Sequence, residues 1–390
     1  MISTAGDSFL AFPSAYPAGL TVELSEGMYL YDKSGKSYLD LTAGFCVNNL
    51  GHRHPAVIKA IQEQAGKYLH VTVYGEYFLE VQMQLAEKLA ALLPPSLQSV
   101  YPVNSGTEAV EGALKLAKRI TNRREIVSFS NAYHGSTQGA LSVMGSEYFK
   151  NAFRPLLPEI VIIDFNNAKQ LSCITEKTAC VIVEPVQGEA GVIVPEHDFL
   201  VALRKQCDTM GCLLIFDEVQ TGLRRTGEMF AFQKYNVIPD ILILGKALGG
   251  GMPIAAFISS FNNMSALTHS PHLGHITTFG GHPLSCAAAI AAIDVLNSFT
   301  AEEILRKANL FVSLLKHPKI KNIRHAGLLM AIDIDEGINM QELISLAHNR
   351  GLAIDGFLLH NHAIRITPPL IINDEQIAFA SETLCKCLDG

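Results

Sequence analysis

The sequence is poor in charged residues and carries no excess of positive charge. Charged side chains make up only 17% of its 390 residues, and the formal net charge is −7. Broad contact with nucleic acid or with an anionic membrane surface needs a basic face, so this composition argues against both partners. Because 48% of the residues are hydrophobic, the chain can build a large core and does not belong to the disordered class.

The chain also lacks a long apolar run and a basic start. No apolar stretch reaches the roughly 18 residues that a membrane-spanning helix requires. The first twenty residues contain neither lysine nor arginine, which predicts that they are not a secretory signal peptide. We therefore expect a protein that spans no membrane.

Metal-binding patterns are missing as well. The eight cysteines include no CxxC pair and no zinc-finger spacing, and several lie in apolar patterns where cysteine acts as a small hydrophobic residue. We expect reduced thiols, a cytoplasmic location and no metal site. His52 and His54 lie two residues apart, but no third ligand is near them, so we expect this turn to cap a helix.

Short apolar strands alternate with helical patterns through the middle of the chain. The strands are predicted at Val100–Val103, Ile126–Ser130, Ile160–Phe165, Cys180–Pro185, Leu213–Glu218, Ile241–Lys246 and Ala255–Ser260. The helices between them are predicted at Thr107–Thr121, Glu147–Asn151, Ala168–Thr175 and His197–Gly211. This order implies right-handed crossovers and an α/β fold whose mostly parallel sheet is buried on both faces.

Different patterns occupy the two ends of the chain. Before the alternating region, the sequence predicts a hairpin of Met28–Asp32 and Ser37–Thr42 and helices over 52–68 and Val81–Leu93. After it, the predicted elements are Leu284–Ser298, Ile323–Asp335, Met340–Gly351, Ala363–Thr367 and a last helix from Asp374. Gly35 in the hairpin turn can adopt the positive φ that such turns favour. The last hundred residues therefore form a region of mixed α+β type.

A single lysine follows one of the predicted buried strands, in the string ILILGKALGGG of residues 241–251. An unpaired ammonium ion is costly to bury. Lys246 is therefore expected to be neutral or covalently engaged, as in a Schiff-base enzyme, or to bend past the strand end into solvent. The residues alone leave both interpretations open.

Two carboxylates lie at the ends of neighbouring predicted strands. Ligands of parallel sheets collect at the carboxyl ends of the strands, so Lys246, Asp217 and Glu184 are expected to face one crevice. Asp217 suits the ring nitrogen of an aldehyde cofactor held by Lys246. An aspartate that caps the next helix is an equally good explanation of the same residue.

An anion site is predicted where the helix over Thr107–Thr121 begins. Ser105, Gly106 and Thr107 would offer free backbone N–H groups, and Gly106 would let a phosphate approach closely. A plain helix cap uses the same residue types. This is not a Walker A loop, and neither is Gly245-Lys246, because the glycines follow the lysine. Tyr133, beyond the strand 126–130, could stack on a flat ring or belong to the core.

Nine strings of this sequence, taken together and in order, resemble the class III, fold-type-I, pyridoxal-phosphate-dependent aminotransferases. They are LYDKSGKSYLDLTAG, VNNLGHRHP, NSGTEAVEGALKLAKR, AYHGST, VEPVQGEAG, IFDEVQTGLRRTG, ILILGKALGGG, TTFGGHPLSCAAA and IRITPPLII. The resemblance covers almost the whole chain and is nearest to the acetylornithine and ornithine aminotransferases. It implies a large domain with a seven-stranded, mostly parallel sheet and a smaller α+β domain built from both chain ends. The implied boundaries are 1–48 for an N-terminal segment that joins the small domain, 49–289 for the cofactor domain and 290–390 for the small domain.

The resemblance also implies a cofactor, pyridoxal 5′-phosphate, and a homodimer with shared active sites. Lys246 would form the Schiff base and move the substrate proton, and Asp217 would pair with the ring nitrogen. The other implied cofactor contacts are Ser105, Gly106 and Thr107 at the phosphate, Tyr133 and Val219 on the two ring faces, Gln220 at the phenolic oxygen, and Thr278 at the phosphate of the second subunit.

Substrate contacts follow from the same resemblance. Arg365 would bind a substrate carboxylate, Glu189 would pair with Arg365 and let it switch between substrates, and Thr277 is a substrate-side position. One departure is Ser136: the string is HGST where acetylornithine, ornithine and 4-aminobutyrate enzymes usually have HGRT, with an arginine for a second carboxylate. HGST is also found among ω-amine and β-amino-acid transaminases of this class.

The implied reaction is transfer of an amino group, from an ω-amino donor of the acetylornithine or ornithine type, to a 2-oxo acid such as 2-oxoglutarate. One pocket that alternates between the two small-molecule substrates predicts ping-pong kinetics. The alternatives are an ω-amine, 4-aminobutyrate or β-amino-acid transaminase, and an aminomutase or decarboxylase of the same fold. A non-catalytic phosphate-binding module is the remaining alternative, although it leaves Asp217 and Lys246 unexplained.

Overall fold

The protein is described from a computed structural model, which covers residues 19–196 and 198–389 together with residues 9, 11, 13 and 14. Within this part of the chain, the strands are β1 (Val22–Glu26), β2 (Tyr29–Asp32), β3 (Ser37–Asp40), β4 (Ser99–Val103), β5 (Glu125–Phe129), β6 (Ile160–Ile163), β7 (Thr178–Val183), β8 (Leu213–Asp217), β9 (Ile241–Leu244), β10 (Ala255–Ser259), β11 (Ile320–Ala326), β12 (Leu329–Ile334), β13 (Leu352–Ala353) and β14 (Ala363–Ile366).

The α-helices of the same described ranges are α1 (Ala43–Cys46), α2 (Pro55–Ala65), α3 (Glu80–Leu92), α4 (Gly106–Thr121), α5 (Gln138–Ser142), α6 (Glu147–Lys150), α7 (Phe199–Met210), α8 (Ala231–Tyr235), α9 (Phe261–Ser265), α10 (Pro283–Leu296), α11 (Ala301–Leu314), α12 (Met340–Asn349) and α13 (Asp374–Asp389). Short 3₁₀ turns lie at Asn151–Phe153, Ala168–Cys173 and Lys246–Gly249.

The seven strands predicted in the middle of the chain form one sheet in the order β4-β10-β9-β8-β7-β5-β6. Neighbouring strands are parallel except at β10, which runs antiparallel to both β4 and β9. The predicted α/β fold with a seven-stranded, mostly parallel sheet is therefore confirmed. Since β7, β8 and β9 are adjacent and parallel, their carboxyl ends lie side by side.

Helices cover the sheet on both faces, which explains why its strands are almost wholly apolar. Along β8, Leu214 and Phe216 pack into the core beneath α7, whereas Ile215 packs into the core beneath α4. All three side chains are fully buried. Burial of one such side chain contributes roughly 1.5–3 kcal/mol, so this sheet is a rigid platform for the residues at its edge.

Two further sheets use the chain ends. β1, β2, β3 and β13 form one, in which β13 from the C-terminal region pairs parallel with β3. The third has the order β11-β12-β14 and is antiparallel. The predicted hairpin is confirmed as β2–β3, with Gly35 at φ +82°. The domain boundaries stay predictions; part of 1–48 lies outside the described residues, and position 289/290 falls inside α10.

Several element ends differ from the sequence-based expectation. β9 stops at Leu244, so Lys246 is not a strand residue but begins a 3₁₀ turn with φ +47°. The predicted helix at 168–175 is also a 3₁₀ turn. The predicted helix from His197 is α7, and His197 itself lies outside the described residues. The sequence prediction missed β1, β13, α1, α5, α8, α9 and α11 altogether.

His54 caps α2, because its Nδ1 accepts a hydrogen bond from the Ala56 N–H at 3.3 Å. All eight cysteines are free thiols. Within the described ranges no single helix is long and apolar enough to cross a membrane; only the pair α10 and α11 meets that test jointly, with a 78° bend between them.

Candidate active site

One cavity of about 300 Å³ lies at the carboxyl ends of the central strands. Lys246, Asp217 and Glu184, which follow or end β9, β8 and β7, all line it. The remaining lining residues come from the start of α4, from the loop after β5 and from the loops after β7 and β8: Gly106, Thr107, Tyr133, His134, Gly135, Ser136, Glu189, Val219 and Gln220. The structure thus brings together Glu184 and nine of the thirteen cofactor and substrate residues singled out from the sequence.

Lys246 is held at the cavity by the backbone around it. Gly245 before it is fully extended, and a Cβ there would lie 3.3 Å from both Ala255 and Val219, so glycine keeps this approach open. The side chain of Lys246 is half-buried. Its amine makes no hydrogen bond or ion pair with any described residue, and it faces the cavity, as an amine that holds a ligand covalently must.

Asp217 is fixed by two hydrogen bonds. Its Oδ1 accepts from the Val219 N–H at 3.0 Å, and its Oδ2 lies 2.8 Å from His134 Nδ1. A carboxylate can only accept, so His134 carries the proton on Nδ1. Asp217 is 5% exposed and His134 is 3% exposed. Asp217 therefore acts as an oriented acid of the cavity and does not cap a helix.

Glu184 is the second buried acid of this cavity. It accepts long hydrogen bonds from the N–H groups of Tyr133 and Gly188, each at 3.4 Å. Burial raises the pKa of Glu184 well above its usual value, and the nearby charge of Asp217 raises it further. Glu184 therefore keeps its proton to a higher pH than an ordinary glutamate does.

The start of α4 forms the far wall of the cavity. Ser105 caps the helix by accepting from the Glu108 N–H, so the N–H groups of the first turn point toward the cavity beside Gly106 and Thr107. A Cβ on Gly106 would lie 3.1 Å from the two methyl groups of Val219. The positive end of the helix and the missing side chain make this wall a suitable anion site.

Thr107 is oriented by residues that the sequence did not single out. Its hydroxyl lies 2.7 Å from that of Thr137, which donates to Glu111 Oε1 at 2.6 Å. Gly135 passes so close that a Cβ there would lie 2.4 Å from Thr107 Oγ1. Thr107, Gly135 and Thr137 thus form a tight junction between the loop after β5 and the start of α4.

Arg365 and Glu189 form a buried ion pair at the outer side of the cavity. Arg365 Nη2 lies 2.5 Å from Glu189 Oε2, and Arg365 is only 1% exposed. Burial acts to raise the pKa of Glu189, but the charge of Arg365 outweighs it and the pKa lies below its usual value. The guanidinium also faces the rings of Phe45 and Phe357, at 5.1 and 4.4 Å.

Gln220 connects this pair to the inner cavity. Its Nε2 donates to Glu189 Oε1 at 3.2 Å, while its buried Oε1 has no partner among the described residues. On the opposite side, the hydroxyl of Tyr133 lies 3.4 Å from that of Ser136, which is exposed at the cavity rim. Ser136 supplies no positive charge there.

Thr277 and Thr278 lie elsewhere. Neither lines the cavity; Thr277 accepts a hydrogen bond from Asn104 Nδ2 at 2.8 Å. Ser105 likewise contributes as the helix cap and not as a lining residue.

The sequence matches the family described as aminotransferase class-III over residues 13–388. The chain belongs to the class III aminotransferases. It is 38% identical to an acetylornithine aminotransferase of Methanopyrus kandleri over 373 residues, which cover 95% of this chain and 94% of that protein. An ornithine aminotransferase 1 of Staphylococcus aureus is 38% identical over 382 residues, 93% of this chain and 92% of that protein.

Solved structures with a similar fold are also transaminases. The ornithine aminotransferase of Toxoplasma gondii superposes on this aminotransferase with a TM-score of 0.89 at 31% identity, covering 97% of this chain and 92% of the other. An amine transaminase from an uncultivated Pseudomonas species, in its pyridoxal-phosphate-bound form, gives 0.90 at 25% identity, covering 98% and 99%. This aminotransferase therefore uses pyridoxal 5′-phosphate with a small-molecule amino donor and a keto acid, and the phosphate-binding module is set aside.

The residues of the cavity fit this cofactor. The unpartnered amine of Lys246 suits its aldehyde, and the oriented carboxylate of Asp217 suits its ring nitrogen. The open N-terminus of α4 at Gly106 suits its phosphate, and the orphaned Oε1 of Gln220 indicates that this buried amide is arranged for a bound group.

Sequence reasoning missed the most direct partner of Asp217. His134 was not singled out in the sequence analysis, yet it makes the 2.8 Å contact that fixes the acid. A usable signal was present, because His134 follows a strand of the same parallel sheet and so lies at the edge where Asp217 lies. Thr137, Glu111, Phe45 and Phe357 carried no comparable signal.

Proposed function

We propose that this aminotransferase moves the terminal amino group of an acetylornithine- or ornithine-like donor to 2-oxoglutarate. The observation that carries the proposal is the buried Arg365–Glu189 pair, which lies at the mouth of the Lys246 cavity. An arginine whose charge is balanced by a movable acid can accept a substrate carboxylate and release it again. Such a pair can serve both a donor whose reacting amine has no carboxylate beside it and an acceptor whose keto group has one.

Pyridoxal phosphate, when bound, supplies a ring that withdraws electrons from the substrate carbon. The residues of the chain bind and orient the cofactor and transfer the proton. Lys246 Nζ would hold the cofactor and, once the substrate amine has displaced it, would take the proton from the carbon that bears the amino group, a role worth roughly 10²–10⁴-fold. Asp217 holds the charge at the ring nitrogen, and the hydrogen bonds from His134 and the Val219 N–H keep its carboxylate in place. The N–H groups at Gly106 and Thr107 hold the phosphate.

Both substrates use one cavity in this proposal, so the kinetics should be ping-pong. Tyr133 and Val219 would lie on the two faces of the ring. Gln220 would reach its phenolic oxygen. Ser136 and Thr277 would lie on the substrate side.

A second candidate function is an ω-amine or β-amino-acid transaminase. It is favoured by Ser136, because a serine offers one neutral hydrogen bond where a second carboxylate needs a bidentate charge. An aminomutase of the same fold would need no free keto acid, so a test for acceptor dependence separates it from both.

We also propose a homodimer in the cytoplasm. Thr278 lies outside the cavity of its own chain and would reach the phosphate of the other subunit. Beside it, Phe279 and Ile276 are 53% and 49% exposed, which suits an interface. The free thiols suit a reducing compartment. A solution mass near 42.4 kDa, that of one chain, would contradict the dimer.

A half-reaction screen tests the proposed donor. The purified holoenzyme is mixed with single amines, and the cofactor absorbance is followed without any keto acid; 2-oxo acids are then added one at a time to restore the original spectrum. We expect ornithine-type donors to bleach the spectrum fastest and 2-oxoglutarate to restore it. Faster bleaching by ω-amines that have no carboxylate would favour the second candidate.

A further inference from the structure

A second cavity, of about 640 Å³, opens outward from the first and shares Tyr133, Glu189 and Lys246 with it. Its outer wall comes from α12 and from the loop between β13 and β14. A substrate whose reacting amine meets Lys246 must extend its other end into this space. The side chains of the outer wall therefore select the far end of the donor.

Asp355 is the acid of that outer wall. Its carbonyl accepts a hydrogen bond from the Arg365 N–H at 2.8 Å, in an antiparallel bridge between the two residues. Residues paired in this way place their side chains on the same side, and both Asp355 and Arg365 line the cavity. Asp355 Oδ1 accepts from the Gly356 N–H at 2.7 Å. No cation of the described chain lies within ion-pair distance of its carboxylate.

The nearby basic groups do not neutralise Asp355. Arg365 directs Nη2 to Glu189 and Nε to the Gly356 carbonyl, and its buried Nη1 has no partner among the described residues. Burial lowers the pKa of His348 although Asp355 acts against this shift, so that ring is uncharged at neutral pH. The cavity therefore offers an unpartnered N–H donor on Arg365 and, on its neighbour Asp355, a carboxylate that has no ion-pair partner among the described residues.

The charged residues that line the two cavities also favour a positively charged group on the substrate. The only described cations that line them are Lys246 and Arg365, whereas four carboxyl groups do so: Glu184, Asp217, Glu189 and Asp355. The wall of the outer cavity also includes two apolar side chains of α12, Met340 and Ile344. Such a wall suits a chain of methylene groups, and Ser136 leaves no cation for a second carboxylate.

We propose that the amino donor carries a second, free amino group, which binds Asp355 as an ammonium ion while the first is transferred at Lys246. This inference rests on the proposed function and narrows it to donors with two amino groups. It excludes an acylated second amine, because an amide carries no positive charge. Ornithine should therefore be a better donor than its Nα-acetyl derivative.

The test compares α,ω-diamines of four to six carbons with monoamines of the same length, using the holoenzyme and 2-oxoglutarate. We expect kcat/KM for each diamine to exceed that for its monoamine by about 10- to 100-fold, the range that one charge-assisted hydrogen bond gives. Asp355→Asn should remove most of this preference, and Asp355→Lys should reverse it. Asp335→Asn is the matched control, because Asp335 is an exposed acid paired with Lys321 and should leave the preference intact.

The comparison of diamine with monoamine in the unaltered enzyme tests the role of Asp355 even if a variant fails to fold. Equal kcat/KM values for diamine and monoamine, or a preference that survives in Asp355→Asn, would overturn the role of Asp355. Faster turnover of Nα-acetylornithine than of ornithine would overturn it as well. Absence of turnover with every amine would overturn the proposed function itself, and this inference with it.

Discussion

Replacement of Arg365 by lysine is the substitution that best separates substrate binding from the rest of the site. The guanidinium is 1% exposed and is held by Glu189 Oε2 at 2.5 Å and by the Gly356 carbonyl at 3.1 Å. Alanine would leave Glu189 buried without its partner, which typically costs about 3–5 kcal/mol. Lysine keeps a positive charge beside Glu189, so Arg365→Lys should fold.

The expected decrease in kcat/KM follows from the hydrogen bonds that a lysine at position 365 cannot make. Arg365 Nη1, unpartnered in the described structure, would be lost together with the planar fork that grips a carboxylate with two parallel hydrogen bonds. A hydrogen bond to a charged group contributes about 1.5–3 kcal/mol. This corresponds to a decrease of about 10- to 100-fold in kcat/KM for a carboxylate-bearing acceptor.

The assay compares two acceptors at a saturating amine concentration: 2-oxoglutarate and an aldehyde without a carboxylate, such as butanal. Arg365→Lys should lower kcat/KM for 2-oxoglutarate by the stated factor and change the value for butanal much less. Arg324→Lys is the matched control, because Arg324 pairs with Asp333 and the Gly191 carbonyl outside both cavities. Equal losses for the two acceptors in Arg365→Lys would refute the carboxylate assignment.

Three further substitutions test other parts of the site. Asp217→Asn should keep the cofactor bound but lower kcat on the order of 10²-fold; turnover like that of the parent enzyme would remove the role of this acid. Ser136→Arg should raise kcat/KM for donors with a second carboxylate by about 10- to 100-fold, and an unchanged donor panel would place Ser136 outside the pocket. The pKa of Glu189 lies below its usual 4.5. Ionised Glu189 therefore stabilises the fold above pH 4.5. This stabilisation is lost as the pH falls through the lowered pKa of Glu189. Denaturant unfolding of the cofactor-free protein should therefore show a weaker loss of stability on acidification in Glu189→Gln than in the parent, and equal slopes would contradict the shift.

The sequence predicted the central sheet well because its strands are buried on both faces. β8 and β9 are runs of apolar residues, and a parallel sheet between helices is the fold in which such runs occur. The rule that ligands collect at carboxyl ends then placed Lys246, Asp217 and Glu184 at one edge without any knowledge of contacts.

Such rules do not predict contacts between residues that are far apart in the sequence. His134 and Asp217 are 83 residues apart, and Arg365 and Glu189 are 176 apart. Apolar periodicity says nothing about polar pairs at these separations, so the arginine and its acid could be named only from the resemblance to a family. The left-handed backbone of Lys246 was also unpredictable, because it depends on how the chain leaves the sheet.

The missed helix α11 has a more specific cause. Ile304, Ala308 and Phe311 are buried with helical spacing, but Lys307 is buried among them at 5% exposure, which breaks the apolar pattern. Lys307 is tolerated because it donates to Glu303 and to the Leu370 carbonyl, each at 2.7 Å. Besides the helical spacing, the cap at Thr300 and the acids Glu302 and Glu303 of the first turn indicate this helix in the sequence.

The central claim is that the amine of Lys246 holds pyridoxal phosphate beside Asp217. The most direct measurement is borohydride reduction of the holoenzyme, followed by protease digestion and mass spectrometry of the peptides. We predict one modified peptide, which contains residues 241–251 and carries the reduced cofactor on Lys246, and no modification in Lys246→Ala. A holoenzyme without a modified peptide, or with the cofactor on another lysine, would contradict the account.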